Sequence, residues 1–225
     1  MFHRSSKLWL ACIGLLAWAN WPALGKDNAE ASVGPETALA RLKAGNARFA
    51  ANSVSDGKPT AARRIETAQS QHPFAIVVAC ADSRTAPELV FDQNIGDLFV
   101  VRTADNLIDE HGLGSIEYAV GNLGARLIVV LGHERCGAVK AALAAPAAPG
   151  HINSLVRDIQ HAVQAAKADP GDSLANTVKA NARLVAEEIS KEVELGSHKP
   201  EVRIVSGYYD LDTGVVQWQA DKPKE

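Results

Sequence analysis

Short, nearly uninterrupted apolar runs alternate with longer stretches in which apolar residues recur every three or four positions, and the two patterns divide the chain into strands and helices. Residues 74–80 (FAIVVAC), 98–102 (LFVVR) and 126–131 (RLIVVL) are the apolar runs, and runs of this kind suit strands covered on both faces of a parallel sheet. A first helix opens at Pro35 and Glu36 and carries Leu39, Leu42 and Phe49 on one stripe, with proline where a first turn tolerates it. Gly45-Asn46 predicts a break or weak spot within it. Further helices are expected around 115–123, over 138–145 and near 153–167. A long amphipathic one follows, with Leu174, Val178, Val185, Ile189 and Val193 on one face. The chain closes with a strand at 202–205 and a hairpin over 209–219 that turns at Asp212-Thr213-Gly214. Strands separated by helices predict an α/β fold with a mainly parallel central sheet flanked by helices.

The amino terminus breaks this pattern. Residues 1–7 carry Arg4 and Lys7 without an acid, and residues 8–18 (LWLACIGLLAW) are wholly apolar. Small residues then recur at Ala17 and Ala19, and again at Ala23 and Gly25. A basic start, a short apolar core and a small-x-small exit read as a secretory signal peptide, and the apolar run is short for a membrane anchor. A lipoprotein reading through Cys12 is weaker, because Trp9 stands where an aliphatic residue is wanted. The expected organisation is a signal peptide over 1–25, a polar leader over 26–34 and one domain over 35–225. The periplasm is the expected destination and secretion the alternative.

Composition narrows the class. At 225 residues, 47% hydrophobic, 22% charged and a net charge of −3, the chain is a soluble globular protein rather than a disordered one. It has no basic excess to mark a nucleic-acid partner. Removing residues 1–25 takes away two cations, so the charge falls to −5; it also removes the only methionine, three of four tryptophans and Cys12. Cys80 and Cys136 remain.

Both remaining cysteines stand where strands end. The first apolar run closes in Cys80-Ala81-Asp82-Ser83-Arg84, and the third leads into His133-Glu134-Arg135-Cys136-Gly137. In open α/β sheets the carboxyl ends of strands are where sites form. Two thiols and an imidazole match a borderline-soft ion such as zinc, with a fourth position left open as in catalytic sites. The spacing of His133 and Cys136 puts both on one face of a turn or helix start. A disulfide between Cys80 and Cys136 is the alternative in an oxidising compartment.

These segments resemble the zinc motifs C-x-D-x-R and H-x-x-C of the β-class carbonic anhydrases. The similarity extends in order through Leu39, Leu42 and Gly45 to Phe49, Gln71-His72-Pro73, Phe91-Asp92-Gln93, Gly96 to Arg102, Ser115 to Ala119, and Tyr209 to Gly214. It spans about Pro35 to Gln219. The resemblance implies one zinc ion per subunit on Cys80, His133 and Cys136, and a catalytic dyad of Asp82 and Arg84. It implies a substrate pocket that includes Gln71, Phe99 and Tyr118, partly across a subunit boundary. It also implies an N-terminal helical arm embracing a neighbour in a homodimer or dimer of dimers. The implied reaction is reversible hydration of carbon dioxide to bicarbonate and a proton by zinc-bound hydroxide. In a closed form, favoured at acidic pH, Asp82 would become the fourth ligand. Alternatives on the same residues are hydrolysis of carbon disulfide or carbonyl sulfide, or non-catalytic bicarbonate or zinc binding.

One position departs from the pattern. The family commonly has a small residue where Asp105 stands, and the sequence reading places this carboxylate in solvent, with a role as proton acceptor the alternative. His72, His111, His151, His161 and His198 are expected to be solvated, as are Glu134 and Arg135 at the surface. Gly112-Leu113-Gly114 lacks the third glycine of a dinucleotide fingerprint.

Overall fold

The computed structural model describes residues 32–55, 60–193 and 201–219. The expected signal peptide, most of the leader, Cys12 and His198 lie outside the described residues. Parallel strands β1 (Ala75–Cys80), β2 (Leu98–Thr103), β3 (Leu127–His133) and β4 (Arg203–Tyr209) form one sheet with β5 (Val216–Trp218), in the order β2-β1-β3-β4-β5. Among the described strands only β5 runs antiparallel. The helices are α1 (Pro35–Ala50), α2 (Ala61–Thr67), α3 (Pro87–Val90), α4 (Glu110–Gly121), α5 (Gly137–Ala144), α6 (Ile152–Ala165) and α7 (Ser173–Glu192). None of the described helices is long and apolar enough to cross a membrane.

Alternate residues of the central strands point to opposite faces, and each face has its own helices. Val77, Ala79, Val129 and Leu131 pack with Leu39 and Leu42 of α1 and with Phe91. Ile76, Val78, Ile128 and Val130 pack with Ile116 and Val120 of α4 and with Val185 and Ile189 of α7. β1 and β3 are buried along their whole length, as their unbroken apolar runs predict. A third cluster closes the carboxyl end of the sheet: Cys80 and Cys136 with Val139, Val156, Ile159, Val178 and Tyr208.

Two expectations about elements need correction. The Gly45-Asn46 pair does not break α1, which runs unbroken from Pro35 to Ala50. A Cβ on Gly45 would stand 1.8 Å from the Phe91 carbonyl oxygen, so the glycine serves close packing. Asn46 is buried and ties α1 to the rest: Nδ2 donates to the carbonyls of Val90 and Gly214, and Oδ1 accepts from Val216 N–H. The final hairpin, moreover, is not separate from the preceding strand. β4 continues from Arg203 to Tyr209 and itself forms the first arm. β3 also runs two residues past its apolar stretch, so that His133 is the last residue of the strand.

Candidate metal centre

β1 and β3 are neighbours in the sheet, so their carboxyl ends bring residues some fifty positions apart in sequence side by side. The ligand atoms of Cys80, His133 and Cys136 lie within 4.8 Å of one another and all three residues are buried. Both cysteines are free thiols. His133 is fully buried; its Nδ1 stands 2.8 Å from the Glu134 carbonyl, which fixes the ring with Nδ1–H as donor. Nε2 then has no hydrogen-bond partner among the described residues. A buried imidazole nitrogen left unpaired beside two sulfurs is the donor set that zinc accepts.

The two thiols and the imidazole perturb one another. The neighbouring Cys136 thiol pulls the Cys80 thiol down against the effect of burial, helped by the His133 ring and the N–H groups of Asp82 and Asp105. Cys136, which donates to that sulfur and is itself buried, is pushed up. For His133, burial opposes the charged form, but the adjacent Cys80 sulfur outweighs it and the net shift is upward.

Asp82 lies just outside this cluster, with Oδ2 3.9 Å from His133 Nε2. Arg84 grips it with a fork: Nε to Oδ1 at 2.9 Å and Nη2 to Oδ2 at 2.6 Å, with the Arg84 N–H also on Oδ1 at 3.0 Å. That grip holds the carboxyl well below the usual carboxylate range. The loop carrying the pair is braced by residues given no role from sequence. Arg102 donates to the carbonyls of Cys80 and Asp82, and the buried Thr85 hydroxyl donates to the same two carbonyls. Their signal was faint: an arginine closing an apolar strand, and a threonine after the arginine of the motif.

On the other side, Arg135 adopts left-handed backbone with φ 53°. It pairs through Nη1 and Nη2 with the two carboxylate oxygens of Asp212 in the β4–β5 turn, each at 2.7 Å. Glu134 accepts from Leu211 N–H. Arg135 is exposed as expected, and Glu134 is partly covered. His72, His111, His151 and His161 are exposed.

Asp105 is the clear departure from expectation. It is fully buried rather than solvated, because the 3-10 turn Ala104–Asn106 after β2 folds under the ends of β1 and β3. Burial pushes its carboxyl up to about 8, opposed by the nearby Cys136 thiol and reinforced by the charge on Cys80.

Gln71, Phe99 and Tyr118 are not brought to the cluster within one chain. Phe99 is in register with Ile76, four positions below the Cys80–Thr103 level, about 13 Å along the strand. Gln71 lies beyond the amino end of β1 and is exposed, and Tyr118 is 40% exposed on α4.

Comparison with known proteins gives one consistent answer. A family model described as carbonic anhydrase matches residues 75–216. The chain is 51% identical over 125 residues to a carbonic anhydrase of Mycolicibacterium smegmatis, covering 56% of this chain and 61% of that one. It is 53% identical over 111 residues to carbonic anhydrase 2 of Mycobacterium tuberculosis, covering 49% and 54%. The matched segment thus spans little more than half the length of these relatives. Among solved structures, the Coccomyxa beta-carbonic anhydrase in complex with acetazolamide superposes with a TM-score of 0.59 at 26% identity, over 68% of this chain and 75% of that one.

Proposed function

Since the family model takes in more than half of its residues, the chain belongs to the β-class carbonic anhydrase family, and from that premise we propose that it catalyses the reversible hydration of carbon dioxide with one zinc ion per subunit. The observation that carries the reading is the buried Cys80–His133–Cys136 cluster with an arginine-gripped carboxylate at its mouth. Cys80, His133 and Cys136 would hold the ion; when bound, zinc supplies a Lewis acid that makes water a usable nucleophile near neutral pH.

The chain's own groups do the positioning. Two thiolates offset the charge of the ion, so a further free anion nearby would work against ionising water. Arg84 answers this by neutralising Asp82 and fixing its plane through a bidentate bond. Asp82 then keeps lone pairs directed toward the cluster, where they accept the hydrogen of the attacking water and aim its oxygen at carbon dioxide. Val139, Val178 and Tyr208, packed around the two cysteines, keep bulk water out.

Two further parts of the reading concern assembly and location. Phe99 and Gln71 stand at the end of the sheet opposite the cluster, so a pocket using them takes them from a second copy of the chain. β2 is an edge strand with half-buried side chains, which leaves a row of backbone groups open to a partner. The signal-peptide pattern over 1–25 supports export to the periplasm.

The test is zinc content measured together with stopped-flow carbon dioxide hydration. Wild type is expected to hold one zinc per chain; Cys80→Ser is expected to lose the metal and to slow by more than about 100-fold, beyond the range for an outer-shell change. A folded Cys80→Ser protein that is active without zinc refutes the reading. Recovered from the periplasmic fraction, the protein should begin after Ala19 or Gly25; an intact Met1 refutes export through this signal peptide.

A further inference from the structure

Asp105 and Asn106 are consecutive non-glycine residues in left-handed backbone, with φ 56° and 48°, and both are fully buried. Asp and Asn enter this region more readily than other residues with a side chain, yet two in succession persist only where their surroundings hold them. The turn they form packs beneath the metal cluster, and the Asp105 N–H donates to Cys80 Sγ at 3.2 Å. Among the described residues it is one of two backbone donors on that sulfur, the other being Asp82 N–H at 3.4 Å.

The hold on this turn comes from α7. Asn181, 3% exposed, directs Nδ2 at both the carbonyl oxygen and carboxylate Oδ2 of Asp105, each at 3.0 Å. One amide thus joins the main chain and side chain of the same residue. α7 can come this close because Gly132, next to His133, lies under Val178; a Cβ there would stand 2.7 Å from the Val178 side chain. The other carboxylate oxygen, Oδ1, has no hydrogen-bond partner among the described residues, so the carboxylate is held from one side.

We infer that Asp105 and Asn181 are a positioning pair for the metal thiolate: Asn181 clamps the carbonyl and carboxylate of Asp105 together, which locks the left-handed turn and keeps its N–H on Cys80 Sγ. The inference rests on the reading of Cys80 as a metal ligand. A hydrogen bond to a ligating sulfur draws electron density from it and fixes which lone pair faces the metal, the work that outer-shell partners do in metal sites.

The experiment compares wild type with Asp105→Gly, Asn181→Ala and Asp105→Asn. It uses zinc affinity by chelator competition, and the thiolate-to-metal charge-transfer band after loading with Co2+. Glycine takes positive φ without cost, so Asp105→Gly folds even if Asn181→Ala does not. Asp105→Gly and Asn181→Ala are expected to bind zinc about tenfold more weakly, the lower end of outer-shell effects, and to move the band to longer wavelength as the sulfur becomes richer in electrons. Asp105→Asn keeps an oxygen for Asn181 and tolerates left-handed backbone, so it is expected to match wild type in both readouts. Wild-type affinity and spectrum in folded Asp105→Gly overturn the inference. So does an Asp105→Asn protein as impaired as Asp105→Gly, which would show that a side-chain oxygen for Asn181 is not what holds the turn. Failure of wild type to bind either ion at Cys80 would instead refute the functional reading.

Discussion

Arg84 and Asp82 stand two positions apart, and that spacing lets one guanidinium fold back onto one carboxylate along both edges. The motif carries this pairing in full, because everything it needs is local. A lysine offers only a point charge and cannot reproduce the fork. Arg84→Lys is therefore expected to keep its zinc but lose about 10–100-fold in turnover, as for other outer-shell substitutions; steady-state carbon dioxide hydration at matched metal content measures it, and wild-type turnover would remove the fork from the mechanism. Asp105 shows the opposite case. A carboxylate in a polar stretch reads as solvated, yet its partner is Asn181, 76 positions away, and no local pattern announces a clamp made by a helix that arrives so much later. His133 lies between: its spacing to Cys136 marks it as a ligand, but its free Nε2 becomes visible only when the Glu134 carbonyl is found on Nδ1.

Periodicity located α4, α5, α6 and α7 because their apolar faces are continuous, and it located β1, β2 and β3 because their runs are. α1 misled it. Glycine and asparagine weaken an isolated helix, but here the glycine admits the Phe91 carbonyl and the asparagine bonds three backbone groups, so tertiary contacts reverse the local preference. The short helices α2 and α3 left no periodic signal to read. A second tether joins α1 to the segment after α3: Asp92 is bonded by Arg48 and by the N–H and hydroxyl of Ser55. Burial alone would raise the Asp92 carboxyl, but these bonds prevail and lower it. With its folded value depressed, the contribution to stability is complete above the usual carboxylate range and is lost as pH falls through the lowered value. Asp92→Asn is thus expected to reduce the urea midpoint at pH 7, with the gap to wild type closing below about pH 4. A gap that persists unchanged into acid would show that the tether does not depend on charge.

At the scale of the molecule, sheet order decides what the site contains. Placing β1 beside β3 assembles the Cys80–His133–Cys136 cluster, while the parallel register puts Phe99 and Gln71 at the far end of the strands. If the pocket takes those residues from a second chain, two crippled chains can complement each other. Co-expressed Cys80→Ser and Gln71→Ala chains form mixed dimers in which the intact metal cluster of one meets the intact glutamine of the other. Hydration activity above the mean of the two parents is expected, up to about one site in four for random pairing. Activity equal to that mean would show that each pocket is made by a single chain.

The sequence by itself determined the alternation of strands and helices and the two motifs, since each depends on residues a few positions apart and on side-chain chemistry that does not change with context; that Cys80, His133 and Cys136 meet as a group able to hold a metal follows from the pairing of β1 with β3. Tertiary structure alone decided that Gly45 and Asn46 strengthen α1, that Asp105 is buried against Asn181, and that Phe99 and Gln71 lie far from their own chain's cluster. Those outcomes depend on which distant surfaces meet, and burial can reverse what a residue type favours in water.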